Sequence, residues 1–400
     1  MNISETTEFL KQMIRIPSLS GKEQQVMQLI YDQFLPYVDE IELAPLDNSL
    51  RDDPDYAYPV TDIDYTGRHN LRAVVRGTGG GKSLLFNTHA DVVPPSAMQE
   101  NAFDPFERDG IIYGRGACDA KGQIATILHV LKKIKSAQLK PSGDIIIHIV
   151  VEEENGGNGT LAAIRNGEQA DAAIVLEPTG LKILPSVRGA VWFRIICIGK
   201  PGHSGSAGAR VSALDLANEA MGIMQNYHDT LLTDSKNIPL FDAYDDPMPI
   251  TFGKLHAGDW PATIPNKAIL EGVLGFLPNK TKEEIMLETE TAIRENGSAQ
   301  LKDNFYIEFM YRHDCHVLDP NHELVGTLSE ACSNTFGATQ ISAMAASCDS
   351  WFYNNQLGIP TVVFGPGELA VAHSNKENIS IVQIEEAANA LFDFVKNWNI

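Results

Sequence analysis

The chain has 400 residues, more than one hydrophobic core usually serves, so two domains are expected. Acidic residues outnumber basic ones by 52 to 31, and the net charge of −21 argues against nucleic acid, whose phosphates need clustered cations. No run of 18 apolar residues suggests a membrane span, "MNISETTEFLKQ" lacks the layout of a signal peptide, and cysteines 118, 197, 315, 332 and 348, without a CxxC pair, fit a reducing cytoplasm.

The amino-terminal segment reads as two helices, with Ser20 and Glu23 in "SGKEQQVMQLI" at capping-box spacing. A polar loop over 48–66 holds Pro54 and Pro59. "LRAVVRG" and "SLLFN" read as strands joined by "TGGGK". That junction imitates a phosphate loop, but Arg76 stands where its first glycine belongs and a strand follows instead of a helix, so a tight turn is expected. Ile124, Ile127, Leu128, Leu131 and Ile134 keep helical spacing after "GRGACDAKG". Strands at 145–151 and 172–176 flank a short helix, so residues 70–180 alternate as an α/β sheet does. His129 and His148 fall inside the helix and the first of these strands and read as packing residues.

After Glu177 the order changes to strand 190–198, helix 212–226, strands 250–256 and 267–277, helix 281–296 and strand 304–311. That is the split βαβ unit of a ferredoxin-like sandwich. From about 320 the α/β style returns, with helix 321–336, strands 339–343 and 360–364, and a helix over 383–398. The expected architecture is α/β: a discontinuous larger domain over 1–185 and 314–400, with a small α+β domain, 186–313, inserted into it.

The polar residues that carry chemistry collect where strands of the larger domain end. His89 and Asp91 follow "SLLFN", Glu153 and Glu154 follow strand 145–151, Glu177 follows "AAIVL", and His373 lies beyond "PTVVFGPG". Asp119 sits in "GRGACDAKG" ahead of a helix. Ligands of open α/β sheets bind past the carboxyl ends of the strands. A mixed set of imidazole nitrogens and carboxylate oxygens at that edge suits Zn²⁺. "HDCH", 313–316, has no second pair to complete a site and reads as a strand at the domain junction.

These stretches together resemble the dinuclear zinc amidohydrolase and metallopeptidase family of acetylornithine deacetylase, succinyl-diaminopimelate desuccinylase and carboxypeptidase G. The resemblance runs from "IRIPSLSGKE" to "AHSNKENISI". "HADVVP" is similar to the family's His-x-Asp-Val-Val-Pro, "GRGACDAKG" to its Gly-Arg-Gly-x-x-Asp-x-Lys-Gly, and "EEENGG" to its Asp-Glu-Glu-x-Gly. The resemblance implies a phosphorylase/hydrolase-like mixed-sheet catalytic domain with an inserted ferredoxin-like lid and dimerisation domain. It implies two Zn²⁺, with Co²⁺ or Mn²⁺ as substitutes, bridged by Asp119. Glu154 and His373 would complete one metal site, His89 and Glu177 the other.

The physical chemistry agrees with that set. Two metals sharing a carboxylate act on one water and lower its pKa toward neutrality, giving hydroxide. Asp91 is expected to take the far imidazole proton of His89 and fix its orientation. By the resemblance Glu153 is the general base that draws the water's proton and passes it to the leaving amine. Glu152 is left with a structural part. "GKPGHSGS" resembles the family's Gly-Lys-x-x-His-Ser, so His203 would help hold the oxyanion, in relatives across a dimer formed by the small domain.

Two positions depart from the pattern. Ala262 and Gly275 stand where the family often has Asn and Arg gripping a substrate carboxylate, and Arg188, Arg210 or Arg312 is left to take over. The function expected is metal-dependent hydrolysis of a small N-acyl amine or N-acyl amino acid by a cytoplasmic homodimer. A dipeptidase or aminopeptidase, or a catalytically silent metal-binding relative, is the alternative.

Overall fold

The computed structural model describes residues 3–205 and 210–398. Its larger sheet runs in the order Glu40–Pro45, His69–Val75, Ile145–Val150, Leu84–His89, Ala172–Val175, Thr361–Val363, Ile183–Val187, His316–Val317, with Ile341–Met344 beside Ile183–Val187. The centre is parallel: Leu84–His89 pairs in parallel with Ile145–Val150 and Ala172–Val175, and Ala172–Val175 with Thr361–Val363. Parallel strands are buried on both faces, and "IIIHIV" and "LLFNTH" are buried throughout. Their carboxyl ends therefore share one edge, and that edge faces the site.

Helix Lys121–Ser136 packs against Ser4–Ile14 and Ile381–Trp398, joining the two ends of the chain over one core. Residues from Gly189 to His313 supply a second, four-stranded sheet in the order Ile250–Ala257, Lys267–Phe276, Gly189–Ile198, Phe305–His313, antiparallel throughout. Helices Ala213–Asp234 and Lys282–Asn296 pack against this sheet over a separate buried cluster that includes Phe193, Leu216, Leu270 and Ile285. In chain order this is strand-helix-strand-strand-helix-strand with spatial order 2-3-1-4, a ferredoxin-like layer set into a mixed α/β body. Thr281 and Glu284 form the capping box that opens the second helix.

Some elements differ from expectation. Ser20 and Glu23 form no capping box, because Glu23 turns inward to Arg68 and the Ser20 hydroxyl donates to Glu152. The edge strand Glu40–Pro45 buries none of its residues fully, and its alternation, Glu-Ile-Glu-Leu, lasts only four residues before Pro45. Ile183–Val187 was hidden in the turn after Glu177, and a small sheet of Phe106–Arg108, Ile111–Tyr113 and Asn378–Ser380 consists of three-residue strands too brief to show a period. Among the described residues no helix is long and apolar enough to cross a membrane.

Candidate functional site

Five side chains singled out by the motifs converge at the carboxyl edge of the larger sheet. His89 closes its strand with Nε2 3.0 Å from Asp119 Oδ1 and 3.9 Å from Glu177 Oε1. On the opposite side His373 Nε2 lies 3.3 Å from Asp119 Oδ2 and 3.0 Å from Glu154 Oε2. Donor atoms of His89, Asp119 and Glu177 lie within 4.8 Å of one another, as do those of Asp119, Glu154 and His373. Asp119 belongs to both groups and turns one oxygen to each imidazole.

Local structure explains how each is aimed. His89 Nδ1 sits 3.0 Å from the backbone carbonyl oxygen of Asp91, which can only accept, so Nδ1 carries a proton and Nε2 faces the cluster. The Asp91 carboxylate is farther from that nitrogen, at 3.5 Å. It accepts instead from the amides of Glu153 (3.2 Å) and Glu154 (3.1 Å), tying the "HAD" turn to the "EEENGG" turn. In that second turn Glu152 has φ +66°, and the amide of Gly157 reaches back to its carbonyl. The reversal sends three adjacent carboxylates in different directions. Glu152 turns inward, accepting from Arg68 at 2.7 Å and from the Ser20 and Tyr65 hydroxyls, while Glu153 and Glu154 face the site.

Asp119 does not come from a sheet strand. It arrives on the loop ahead of Lys121–Ser136, and Glu377 pins that loop by accepting from the amides of Cys118 (3.0 Å) and Asp119 (3.1 Å). Arg115 donates to Glu377 and, at 3.3 Å, to the carbonyl of His373, so one buried pair positions residues of both groups. Lys121 donates to the Met13 and Ile16 carbonyls, and burial pulls its ammonium down to about 7. Arg115 and Lys121 lie in "GRGACDAKG" and Glu377 in "AHSNKE", motifs whose other positions had been given no part.

The electrostatics are those of crowded carboxylates. Burial, and then the charges of Asp349, Glu177 and Glu154 against the opposing pull of His89, push Glu153 well above the usual carboxylate range. Glu177 is raised for the same reason, burial first. Burial also works against ionised Asp119, yet hydrogen bonds from His373 and His89 hold it below its ordinary value. Desolvation opposes a charged His373, but Asp119 and Glu154 push it up to about 11. Asp349, which sequence reasoning missed, is another buried carboxylate beside the cluster, raised by burial to about 7. Carboxylates outnumber imidazoles here, and two groups of O,N,O donors share one bridging residue. Divalent cations fit that set.

His203 lies on the small layer, exposed and bridged to Thr263, with Nδ1 accepting from the Gly205 amide at 3.0 Å. None of its described hydrogen bonds joins it to the carboxylates, and Ser206 of its motif lies outside the described residues. At Gly275 a Cβ would come 2.5 Å from Nη1 of Arg188. Arg188 therefore fills the space of a side chain there, donating to the Ala345 carbonyl at 2.6 Å and the Gly189 carbonyl at 3.1 Å. Arg312 donates to the carbonyls of Phe309, Pro54 and Tyr56. His313 and His316 are buried packing residues, bonded to the Gly156 carbonyl and the Ser350 hydroxyl.

Comparison with known proteins identifies the family. The profile of Peptidase family M20/M25/M40 matches residues 85–397. N-formyl-4-amino-5-aminomethyl-2-methylpyrimidine deformylase of Bacillus subtilis is 28% identical over 370 residues, 84% of each chain. Acetylornithine deacetylase of Proteus mirabilis is 26% identical over 100% of this chain and 98% of its own. The solved M20 family metallo-carboxypeptidase of Sulfolobus solfataricus superposes with TM-score 0.79 at 16% identity, covering both chains in full (100% and 100%).

Proposed function

Given that the chain belongs to the M20/M25/M40 peptidase family and is thus a hydrolase of amide bonds, we propose that it deacylates a small N-acyl amine. The carrying observation is Asp119, whose two oxygens face two imidazoles from opposite sides. His89, Asp119 and Glu177 would hold one divalent ion and Asp119, Glu154 and His373 the other, zinc being the first choice for this donor set. When bound there, the pair supplies Lewis acidity toward a water and the amide carbonyl.

The rest falls to the chain's own side chains. Glu153 is held at the site by its backbone bond to Asp91, and burial raises its carboxyl above the usual range, which strengthens it as a base. It receives the proton of the attacking water and returns it to the leaving nitrogen. His203, carried by the small layer, donates to the oxyanion when that layer closes, and a homodimer formed through it would bring this histidine from the neighbouring chain. Five unpaired cysteines suit a reducing, cytoplasmic setting.

The substrate reading turns on recognition. With Ala262 and Gly275 in place of a carboxylate-gripping pair, and Arg188 bound to backbone carbonyls, a neutral amine portion is favoured. The compound in the deformylase relative's name carries no carboxylate. Purified chain should hold two divalent ions, lose activity on chelation and regain it with Zn²⁺ or Co²⁺. N-formyl and N-acetyl amines should be cleaved in preference to dipeptides. A preference above about a hundredfold for an N-acetyl amino acid over its amide, ~2.7 kcal/mol in transition-state binding, would overturn the recognition part. Full activity in the metal-free chain would overturn the whole.

A further inference from the structure

The "HDCH" stretch, left without a part in the chemistry, sits where the inserted layer rejoins the catalytic body. His313 ends the strand Phe305–His313, opposite Ala190. Its Nε2 lies 3.1 Å from the backbone carbonyl oxygen of Gly156. That oxygen can only accept, so Nε2 carries a proton and donates, while Nδ1 is buried without a hydrogen-bond partner. Burial, against the pull of the Gly156 bond and with Lys282 and Arg312 nearby, holds the imidazole well below its ordinary value, so the ring is neutral. Three rings fix its orientation, Tyr311, Trp351 and Phe352, with centroids 4.0, 4.8 and 5.0 Å away.

The carbonyl that His313 grips belongs to the turn carrying Glu153 and Glu154. On the other side of the same peptide group, the Gly157 amide donates to the carbonyls of Glu152 at 2.8 Å and Glu153 at 3.2 Å. Gly156 has φ +110°, and a Cβ there would come 2.9 Å from the Tyr311 ring and 2.3 Å from Ala57 Cβ. We infer that His313 is a positioning residue for Glu153: it orients the Gly156–Gly157 peptide on which the Glu152 and Glu153 carbonyls rest, so that the inserted layer sets the aim of the general base. Arg68 and Ser20 hold the inward side of the turn through Glu152, and His313 holds its far end. Carbonyl and amide of one peptide polarise together, so the bond from His313 strengthens those to the two glutamates. Without that donor the peptide can rotate, and Glu153 moves with it. A displacement of about 1 Å at a reacting group costs up to ~10²-fold in rate.

The role in catalysis rests on the base assigned to Glu153 above, but the anchor is measurable without turnover. His313→Leu and His313→Gln are similar in size and both lose the ring, yet only glutamine keeps a donor. In the metal-loaded enzyme, His313→Leu should keep its metal and KM while kcat falls about 10–100-fold, and His313→Gln should recover most of that loss. An unchanged kcat, an equal fall in both variants, or a fall explained by lost metal or raised KM overturns the positioning role. In hydrogen exchange of the full chain, the amides of residues 152–158 should exchange faster in His313→Leu than in His313→Gln, while those of helix Lys121–Ser136 stay alike. Equal exchange over 152–158 overturns the anchor. Should neither variant fold, the wild type decides: the ring-nitrogen NMR shifts of His313 must show the Nε2–H tautomer, and an Nδ1–H ring overturns the bond. A chain that hydrolyses no amide but shows the exchange pattern refutes the proposed function and keeps the anchor.

Discussion

Asp119 is the residue on which both donor groups depend. Replacing it by alanine should release more metal than any other single ligand change, read by elemental analysis of the purified variants. The adjacent glutamates should part company. Glu153→Gln keeps its ligands and should retain metal while turnover falls by roughly 10²–10⁴-fold, the usual range for a general acid–base. Glu154→Gln removes the partner of His373 and should lose metal first. The reverse pattern would move the base to Glu152, which the bonds to Arg68 and Ser20 already oppose. The side chains of this cluster were legible because each sits in a short motif beside a strand end or a helix start. Glu377, Asp349 and Arg68 were not, since what gives them a part is a contact at long range: Glu377 reaches the Asp119 amide across a separation of 258 residues. No local pattern reports such a meeting.

Among elements, the turn at 152–157 is the one whose shape decides chemistry. Its inward anchor is a buried triad, Arg68 with Glu23 at 2.5 Å and Glu152 at 2.7 Å. Arg68→Met would leave two buried carboxylates without their cation, and removing one partner of such a group destabilises by about 3–5 kcal/mol. Denaturant midpoints should show it, with turnover falling in the fraction that still folds. Ser20 and Glu23 show why capping spacing misleads at this place: the spacing is local, whereas Glu23 is drawn to Arg68 and Ser20 to Glu152 by tertiary contacts. Most strands and helices with strong periods were legible to within a few residues, but the helix expected over 212–226 runs on to Asp234, and short edge strands were not legible. Helix Lys121–Ser136 carries a second test. Burial pulls His129 down to about 4, where it bonds Thr6 as a neutral ring. A histidine depressed in the folded state gives stability that is present above its ordinary pKa and lost as pH falls through the folded one. Between about pH 6.5 and 4, wild type should therefore lose stability faster than His129→Gln, measured as the difference in unfolding free energy at each pH.

For the whole molecule, the open question is how a layer with its own core serves a site on another. If His203 acts across a two-fold assembly, His203→Ala and Glu153→Gln should each be nearly inactive alone. Mixed under subunit exchange, about half of the dimers become hybrids in which one site has both residues, so activity should return to roughly a quarter of wild type. Verified hybrids without recovery would place His203 within its own chain or outside the reaction. Two-layer organisation was legible from the change in element order after Glu177; how the layers work together was not, because closure is a property of surfaces.

The donors of the second group also tie together distant parts of the polypeptide. Glu154 and His373 meet across 219 positions, and between them lies the entire ferredoxin-like layer. An ion held there is a clasp on a very long loop, and clasps on long loops remove the most freedom from the open chain. An ion that binds only the folded form would also shift the balance toward that form by mass action. Whatever the inserted layer does, an ion there would keep the two ends of its ring fastened. Catalytic metal and mechanical fastening would thus be one object, and emptying the site would unbuckle the body of the enzyme as well as silence it.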